Sequence, residues 1–236
     1  MALTTIGLMA LLGCFTGFMA GLLGIGGGMI ITPFLIMLIP SSLIPHEHIV
    51  HVAIATSLAT IAFTSLSSVR AHHKRGAVLW NVVASVAPGI LVGAVVGAQI
   101  AGWLPTFWLS LIFAAFVGFS AFKMFLNKSP RPDRNLPGTI GKFFMGIAIG
   151  ILSALVGAGG GFISVPWMIW CNVKMQNAVA TSAAFGFPIA LFGTIGYIIS
   201  GWNVSGLPPW PIDLGYICIP ALFSVAITSV LFAPVS

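Results

Sequence analysis

The sequence predicts an all-α integral membrane protein, and three observations support this fold class. Of the 236 residues, 58% are hydrophobic and 5% are charged, whereas a soluble domain carries roughly 25% charged residues. Long stretches contain no Asp, Glu, Lys or Arg, among them residues 1–46, 76–122 and 143–173. A helix needs about 20 apolar residues to cross a bilayer, so each stretch can hold at least one crossing. The third observation is a glycine-rich segment that occurs twice.

The basic and sulfur-containing residues argue against other classes of protein. The net charge is +6, but the Lys and Arg residues lie between apolar stretches, where membrane topology explains them better than a nucleic-acid partner does. Cys14, Cys171 and Cys218 have unrelated spacings inside apolar stretches. They are typical of small core residues, and we expect neither a metal site nor a cofactor.

The glycine-rich segment is the strongest internal signal. GLLGIGGGMIITPF occupies residues 21–34, and ALVGAGGGFISVPW occupies residues 154–167, an offset of 133. An Ala-Thr-Ser triplet follows each copy, at residues 55–57 and 180–182, an offset of 125. Glycine is a poor helix former, so two such interruptions of apolar helices cost stability unless they serve a function.

The duplication predicts one transmembrane domain built from two halves. Gly76 and Gly201 keep the offset of 125, which extends the match beyond the motifs. We predict a first repeat over about 1–126, a linker at 127–139 that is rich in proline and charge, and a second repeat over about 140–236.

Basic residues predict how the halves lie in the membrane. Short cytoplasmic loops are enriched in Lys and Arg, so residues 70–75 (RAHHKR) and the linker are predicted to face the cytoplasm. The segments that follow the glycines, 29–40 and 162–172, would be about 18 Å long or less as helices. This is too short for either to cross the membrane alone. Each half is therefore predicted to contain a helical hairpin broken by glycine inside the membrane. One hairpin is predicted to enter the membrane from outside and the other from inside. The two halves are therefore predicted to be inverted repeats.

The sequence predicts seven membrane segments if each hairpin counts as one, and about eight if the second half also has a closing span. The first half closes with a span at 105–126 that has no counterpart in the second half before Ser236. We therefore expect a final helix to be missing from this sequence.

The glycine turns form the predicted anion site. Non-helical backbone at membrane depth is tolerated only where it is buried in protein or lines a water-filled cavity. The first amides of a helix lack an acceptor within it and carry roughly half a positive charge, and glycine lets an anion approach them. The alternative is that these glycines only let helices pack closely. The substrate-binding candidates in the turns are Gly26, Gly27, Gly28, Met29, Gly159, Gly160, Gly161 and Phe162.

Polar side chains after each turn extend the predicted site. Hydroxyl groups can donate to an oxyanion without adding charge, although a bond to the carbonyl four residues earlier is the alternative for each. His51 aligns with Gln176, and both are further candidates, with a plain loop histidine as the alternative for His51. The hydroxyl candidates are Thr56, Ser57, Thr181 and Ser182.

The paired motifs GIGGGMIITP and GAGGGFISVP, each followed by ATS, resemble the sulfite exporter TauE/SafE family of membrane transporters over essentially the whole chain. The resemblance implies a multi-pass carrier of the inner membrane that exports sulfite, sulfoacetate or related organosulfonates, coupled to an ion. With two repeats, transport would proceed by alternating access. The expected partners are the sulfur-containing anion, membrane lipid and, as one alternative, a second copy in a homodimer.

The motifs needed for catalysis are not in the sequence, so we do not expect an enzyme. HExxH and GxSxG do not occur, and no Asp or Glu lies within a predicted span to act as an acid or base. An anion channel with a backbone-lined pore would use the same helix termini and is the alternative function. A carrier saturates and shows counterflow, whereas a channel conducts at far higher rates, so turnover separates the two.

Overall fold

The structure, a computed structural model, describes residues 7–9, 11–17, 27–39, 44–125, 136–202, 204, 207–208 and 213–232. The helices in this part of the chain are α1 (Gly7–Gly17), α2 (Gly28–Leu38), α3 (Ile49–Lys74), α4 (Trp80–Trp103), α5 (Thr106–Phe125), α6 (Thr139–Val156), α7 (Gly161–Trp170), α8 (Met175–Gly201) and α9 (Ile219–Phe232). Two antiparallel strands, β1 (Asp213–Leu214) and β2 (Ile217–Cys218), lie between α8 and α9. The predicted all-α fold class is confirmed.

Four helices are long and apolar enough to cross a membrane, namely α3, α4, α6 and α8. The shortest has 18 residues and the longest 27, which corresponds to about 27–40 Å of helix at 1.5 Å per residue. This range brackets the hydrocarbon thickness of a bilayer, about 30 Å. The described charged residues lie near helix ends or between helices, which leaves the middle of each long helix uncharged.

The second glycine segment interrupts the helix at the predicted position. Helix α6 ends at Val156 and α7 begins at Gly161, with Gly157 in the left-handed conformation at the end of α6. In the first half, α2 begins at Gly28, and the leg before it lies partly outside the described residues. Helices α2 and α7 have 11 and 10 residues, about 15–17 Å, so neither can cross the membrane alone.

Glycines let helices α4 and α6 pack with their backbones in contact. A Cβ atom built on Gly146 would lie 2.4 Å from the Val86 carbonyl oxygen, and one on Gly150 would lie 2.7 Å from the Ile90 carbonyl oxygen. Because both contacts advance in the same direction along the two helices, α4 and α6 run parallel. Small residues at such positions are the usual means of close helix packing in membranes.

The same packing recurs between α1 and α9. A Cβ atom on Gly13 would lie 2.6 Å from the Val225 carbonyl oxygen, and one on Gly17 would lie 2.3 Å from the Ser229 carbonyl oxygen. These glycines precede those of α6 by the offset of 133, while the contacted residues follow those of α4 by 139. Helix α9 is therefore the counterpart of α4, and each half contributes one helix to each pair.

Helices α3 and α8, which carry the two Ala-Thr-Ser triplets, run antiparallel. Leu58 on α3 contacts Gly193, and Ser65, further along α3, contacts Gly186, which comes earlier on α8. Helix α8 in turn runs parallel to α4, since Ala98 contacts Gly196 and Ser200, further along α8, contacts Gly102. Opposite directions of matched helices are what inverted repeats require, and the inverted repeat itself stays a prediction.

The strand pair β1–β2 is a feature that the sequence analysis missed. The all-α prediction included no strand here, but α9 begins at Ile219 after a tight hairpin whose turn contains Gly215 at φ 61°. Gly76 has φ 67° and stands three residues before Leu79, just as Gly215 stands three residues before Cys218. The structural counterpart of Gly76 is thus Gly215 and not Gly201, which ends α8.

Candidate functional site

The two glycine turns share one backbone conformation. Gly27 precedes α2 with φ 68° and ψ −8°, and Gly160 precedes α7 with φ 79° and ψ −11°. Both lie in the left-handed region, where an L-residue with a side chain costs about 1–2 kcal/mol. The proline of each motif is the sixth residue of its short helix, Pro33 in α2 and Pro166 in α7. The duplication therefore extends from the sequence to the geometry of the turns.

Each turn leaves backbone amides for another partner. The Gly27 carbonyl accepts the amides of Ile30 and Ile31 at 3.1 Å each, and the Gly160 carbonyl accepts those of Ile163 and Ser164 at 3.1 and 2.9 Å. The two amides before these, on the first two residues of each short helix, have no intrahelical acceptor. Among the described residues no other backbone acceptor reaches them. They belong to the predicted candidates Gly28, Met29, Gly161 and Phe162.

The two turns meet in the interior. The Ser57 hydroxyl, fully buried, donates to the Gly28 carbonyl at 3.2 Å and to the Gly157 carbonyl at 3.3 Å. A Cβ atom on Gly28 would lie 2.1 Å from that Gly157 oxygen, so the start of α2 touches the end of α6. The structure thus brings Ser57 together with the glycine motifs of both halves.

The second turn holds a group of buried hydroxyls. The Ser164 hydroxyl donates to the Gly160 carbonyl at 3.0 Å and to the Ser182 hydroxyl at 2.7 Å. Among the described residues the Ser153 hydroxyl has no hydrogen-bond partner, although its side chain is only 1% exposed. It lies 3.4 Å from the position that a Cβ atom on Gly160 would take. Ser153 and Ser164 were not among the candidates predicted from the sequence. The feature that could have identified them is a polar residue within one or two helical turns of the glycines.

Thr56 and Thr181 lie elsewhere, and their hydroxyls face backbone amides. The Thr56 oxygen accepts the Cys218 amide at 3.0 Å, and the Thr181 oxygen accepts the Leu79 amide at 3.0 Å. Each amide belongs to the residue just before a helix, α9 and α4 respectively. Each threonine therefore holds the start of a helix of the other half. Contact between these hydroxyls and a substrate stays a prediction.

His51 and Gln176 lie at helix starts, away from the turns. His51 precedes Ser57 by six residues, about 9 Å along α3, and its Nε2 lies 3.0 Å from the carbonyl oxygens of Ala101 and Leu104. Its ring stacks on Tyr216 with centroids 5.1 Å apart. Gln176 is exposed in the first turn of α8. Neither is brought to the glycine turns.

Three further candidates, Met29, Gly159 and Phe162, belong to the described parts of the two turns. Met29 is buried, Phe162 is half-buried, and Gly159 lies with its carbonyl oxygen 3.6 Å from the Cβ position of Gly186. Gly26 lies outside the described residues. Within the described ranges, no group of three or more His, Cys, Asp or Glu side chains could hold a metal ion.

Comparison with known proteins gives a consistent class. The "Probable membrane transporter protein" of Haemophilus influenzae is 34% identical over 227 residues, which cover 96% of this chain and 85% of that protein. The probable membrane transporter protein YdhB of Bacillus subtilis is 30% identical over 194 residues, covering 79% of this chain and 76% of its own. A probable membrane transporter protein of Methanocaldococcus jannaschii is 28% identical over 228 residues, covering 93% and 80%. No solved structure gives a significant match.

The apolar helices and these relatives define the class of protein, which is a membrane transporter. The family model described as "Sulfite exporter TauE/SafE" matches residues 9–236, nearly the entire chain. The chain belongs to the sulfite exporter TauE/SafE family, and the resemblance noted from the motifs is confirmed.

Proposed function

We propose that this protein is a secondary transporter that exports small sulfur-containing anions, such as sulfite or organosulfonates, across the inner membrane. The observation that carries the proposal is the pair of left-handed glycine turns, at Gly27 and Gly160, each of which starts a short helix in an uncharged interior. A helix start with exposed amides attracts anions without the desolvation cost of a buried cation.

Alternating access is the proposed mechanism. Its support is the antiparallel course of α3 and α8 and the exchange of helices between halves, α1 with α9 and α6 with α4. Transporters built from inverted repeats expose a midplane site to each side in turn by moving one part against another. In this proposal the two halves are inverted repeats, and the anion binds at the glycine turns.

The test is transport by the purified protein in liposomes. Sulfite and methanesulfonate trapped inside should accelerate uptake of the same labelled anion from outside, and the rate should saturate with concentration. Such counterflow is a property of carriers. A current that grows without saturation would favour the anion channel instead, and no flux of any sulfur-containing anion would overturn the proposed function.

A labelling experiment tests the proposed topology in cells. Single cysteines at Arg75 and at Pro45, which lie beyond opposite ends of α3, should react from opposite sides of the inner membrane with an impermeant reagent. We expect the cysteine at position 75 to be cytoplasmic, since residues 70–75 are basic. Labelling of both positions from the same side would contradict the inverted repeat.

A further inference from the structure

The two glycine turns offer different surroundings to an anion. At the first turn, the Gly157 carbonyl oxygen lies 2.1 Å from the Cβ position of Gly28. The only proton of the Ser57 hydroxyl is directed at the carbonyls of Gly28 and Gly157. A carbonyl oxygen carries partial negative charge. Besides the two amides that both turns leave free, the described part of the first turn therefore adds an acceptor and a hydroxyl whose proton is already used.

The second turn offers donors that nothing in the described structure uses. Ser153 is 1% exposed, and its hydroxyl has no partner and lies 3.4 Å from the Cβ position of Gly160. A buried hydroxyl without a hydrogen bond costs free energy, so an unpaired one in a native structure calls for a ligand or another explanation. The amides of Gly161 and Phe162 lie in the same turn without an intrahelical acceptor.

The other two hydroxyls at this turn are already hydrogen-bonded. The Ser164 oxygen lies 3.0 Å from the Gly160 carbonyl oxygen, which can only accept, and 2.7 Å from the Ser182 oxygen. The protons of Ser164 and Ser182 are therefore used within this group. The second turn thus combines two backbone amides with one free hydroxyl donor, that of Ser153.

The sequence explains why only the second turn has this character. At the offset of 133, Ser153 corresponds to Ala20 and Ser164 corresponds to Ile31. The first copy therefore has aliphatic side chains where the second has hydroxyls. The one hydroxyl that the first copy adds, Thr32, donates to the Gly28 carbonyl of its own helix at 3.0 Å.

The charge of the donors limits the charge of the ligand. The stretches that form this turn, 143–173 and 175–212, contain no Lys or Arg, so every donor is neutral. The free energy needed to take an ion out of water rises with the square of its charge. The free energy gained from hydrogen bonds with neutral donors rises only roughly in proportion to the charge. A site of this kind favours a singly charged group over a doubly charged one.

We propose that the second glycine turn is the single anion-binding site of this transporter and that Ser153 donates a hydrogen bond to the bound anion. The site takes one singly charged –SO₃ group, as in hydrogensulfite or an alkanesulfonate. This inference rests on the proposed function, and it adds which turn binds, through which side chain, and with what charge selectivity.

The first experiment removes the Ser153 hydroxyl. Binding of methanesulfonate to the purified full chain in detergent is measured by calorimetry for the parent and for Ser153→Ala. We expect affinity to fall about tenfold or more, since a hydrogen bond to a charged group contributes about that much. The unfolding temperature should stay the same or rise, because the hydroxyl that is lost has no partner among the described residues. Ser153→Cys keeps the size with a weaker donor and should bind with intermediate affinity.

A matched control separates ligand binding from burial. Ser229 on α9 is also 1% exposed and also lacks a partner, but it packs against α1 instead of the second turn. Ser229→Ala should leave methanesulfonate affinity unchanged. Equal affinity of Ser153→Ala and the parent, or equal losses in both variants, would overturn the assignment of Ser153.

The second experiment compares anions of different charge. Sulfate resembles methanesulfonate in size and in its S–O groups but carries two charges, and we expect it to bind at least tenfold more weakly. If sulfate binds as tightly as methanesulfonate, the charge selectivity is wrong while the proposed function stands. If the parent neither binds nor transports methanesulfonate or sulfite, the proposed function fails together with the inference.

Discussion

At the start of α2, Gly28 lies against the Gly157 carbonyl, while at the start of α7, Gly160 lies beside the unpaired hydroxyl of Ser153. Both turns have the same left-handed glycine, so backbone geometry does not distinguish them. The difference lies in the neighbours, which are backbone in one case and side chains in the other. A duplicated element can therefore keep its conformation while one copy becomes a structural contact and the other a candidate binding site.

The largest effect is expected where backbone meets backbone. Gly28→Ala would place a methyl group 2.1 Å from the Gly157 carbonyl oxygen, and neither backbone can move without displacing a helix. We expect a loss of about 3 kcal/mol in the free energy of unfolding, at the upper end of overpacking effects. Thermal unfolding in detergent measures it. The control is Gly118→Ala, because a Cβ atom on this helical glycine would have no described neighbour within 4 Å outside its own helix backbone. This change should not destabilise the protein. A parent-like unfolding temperature for Gly28→Ala would contradict the contact between the turns.

The matching change at the second turn should be milder for stability. In Gly160→Ala the nearest atom is the end of the Ile189 side chain, which can rotate away, so the main cost is the left-handed backbone, about 1–2 kcal/mol. Gly76→Ala has the same strain with open space around it and isolates that cost. We expect similar unfolding temperatures for the two variants, but weaker anion binding in Gly160→Ala alone. Unchanged binding there would make the second turn a packing device like the first.

The threonines should affect stability more than binding. Thr181→Val removes the acceptor of the Leu79 amide, and leaving a buried amide unpaired costs about 1–3 kcal/mol, toward the lower end here because the group is partly buried. Thr181→Ser keeps the oxygen and should restore most of the stability. Affinity for methanesulfonate should change little in either variant. A loss of affinity in Thr181→Val at constant stability would instead support the sequence-based assignment of Thr181 to the substrate.

The smallest effect is expected for Ser57→Ala. Its two acceptors, the carbonyls of Gly28 and Gly157, lose one shared donor, and a neutral hydrogen bond contributes about 0.5–1.5 kcal/mol. Chemical denaturation or thermal unfolding would detect this loss. Because Ser57 joins the two turns, a larger loss in Ser57→Ala than in Thr181→Val would show that contact between the halves limits stability more than the starts of α4 and α9 do.

Much of the fold was accessible from the sequence because its signals are local. Apolar stretches without charge predicted the long helices, and glycine at matched positions predicted where α2 and α7 begin. The β1–β2 pair was missed because strands of two residues carry no periodicity. The register of α9 against α4 was missed because the packing glycines lie on their partners, α1 and α6, and only contacts show the match.

The candidate site was predicted only in part, and the reason is sequence distance. The turns themselves are local, but the partners of the threonines are remote. Cys218 is 162 positions from Thr56 in the sequence, and Leu79 is 102 positions from Thr181. The same pattern of hydroxyl residues could form hydrogen bonds with a ligand or with a distant backbone amide. Nothing in the sequence distinguishes these two roles. Ser153 differs from the other hydroxyl residues of this turn because its hydroxyl has no hydrogen-bond partner among the described residues. Only the packed structure can show this.

The exchange of helices between the halves has a consequence for biosynthesis. Gly13 and Gly17 pack on α9, which emerges from the ribosome only after nearly all the rest of the described chain. Helix α1 is therefore synthesised long before α9. Until α9 is present, the face of α1 that carries Gly13 and Gly17 has no helix packed against it. Contacts so far apart in the chain form late and slowly. During synthesis the protein is consequently more exposed to misassembly and to quality-control proteases until α9 arrives.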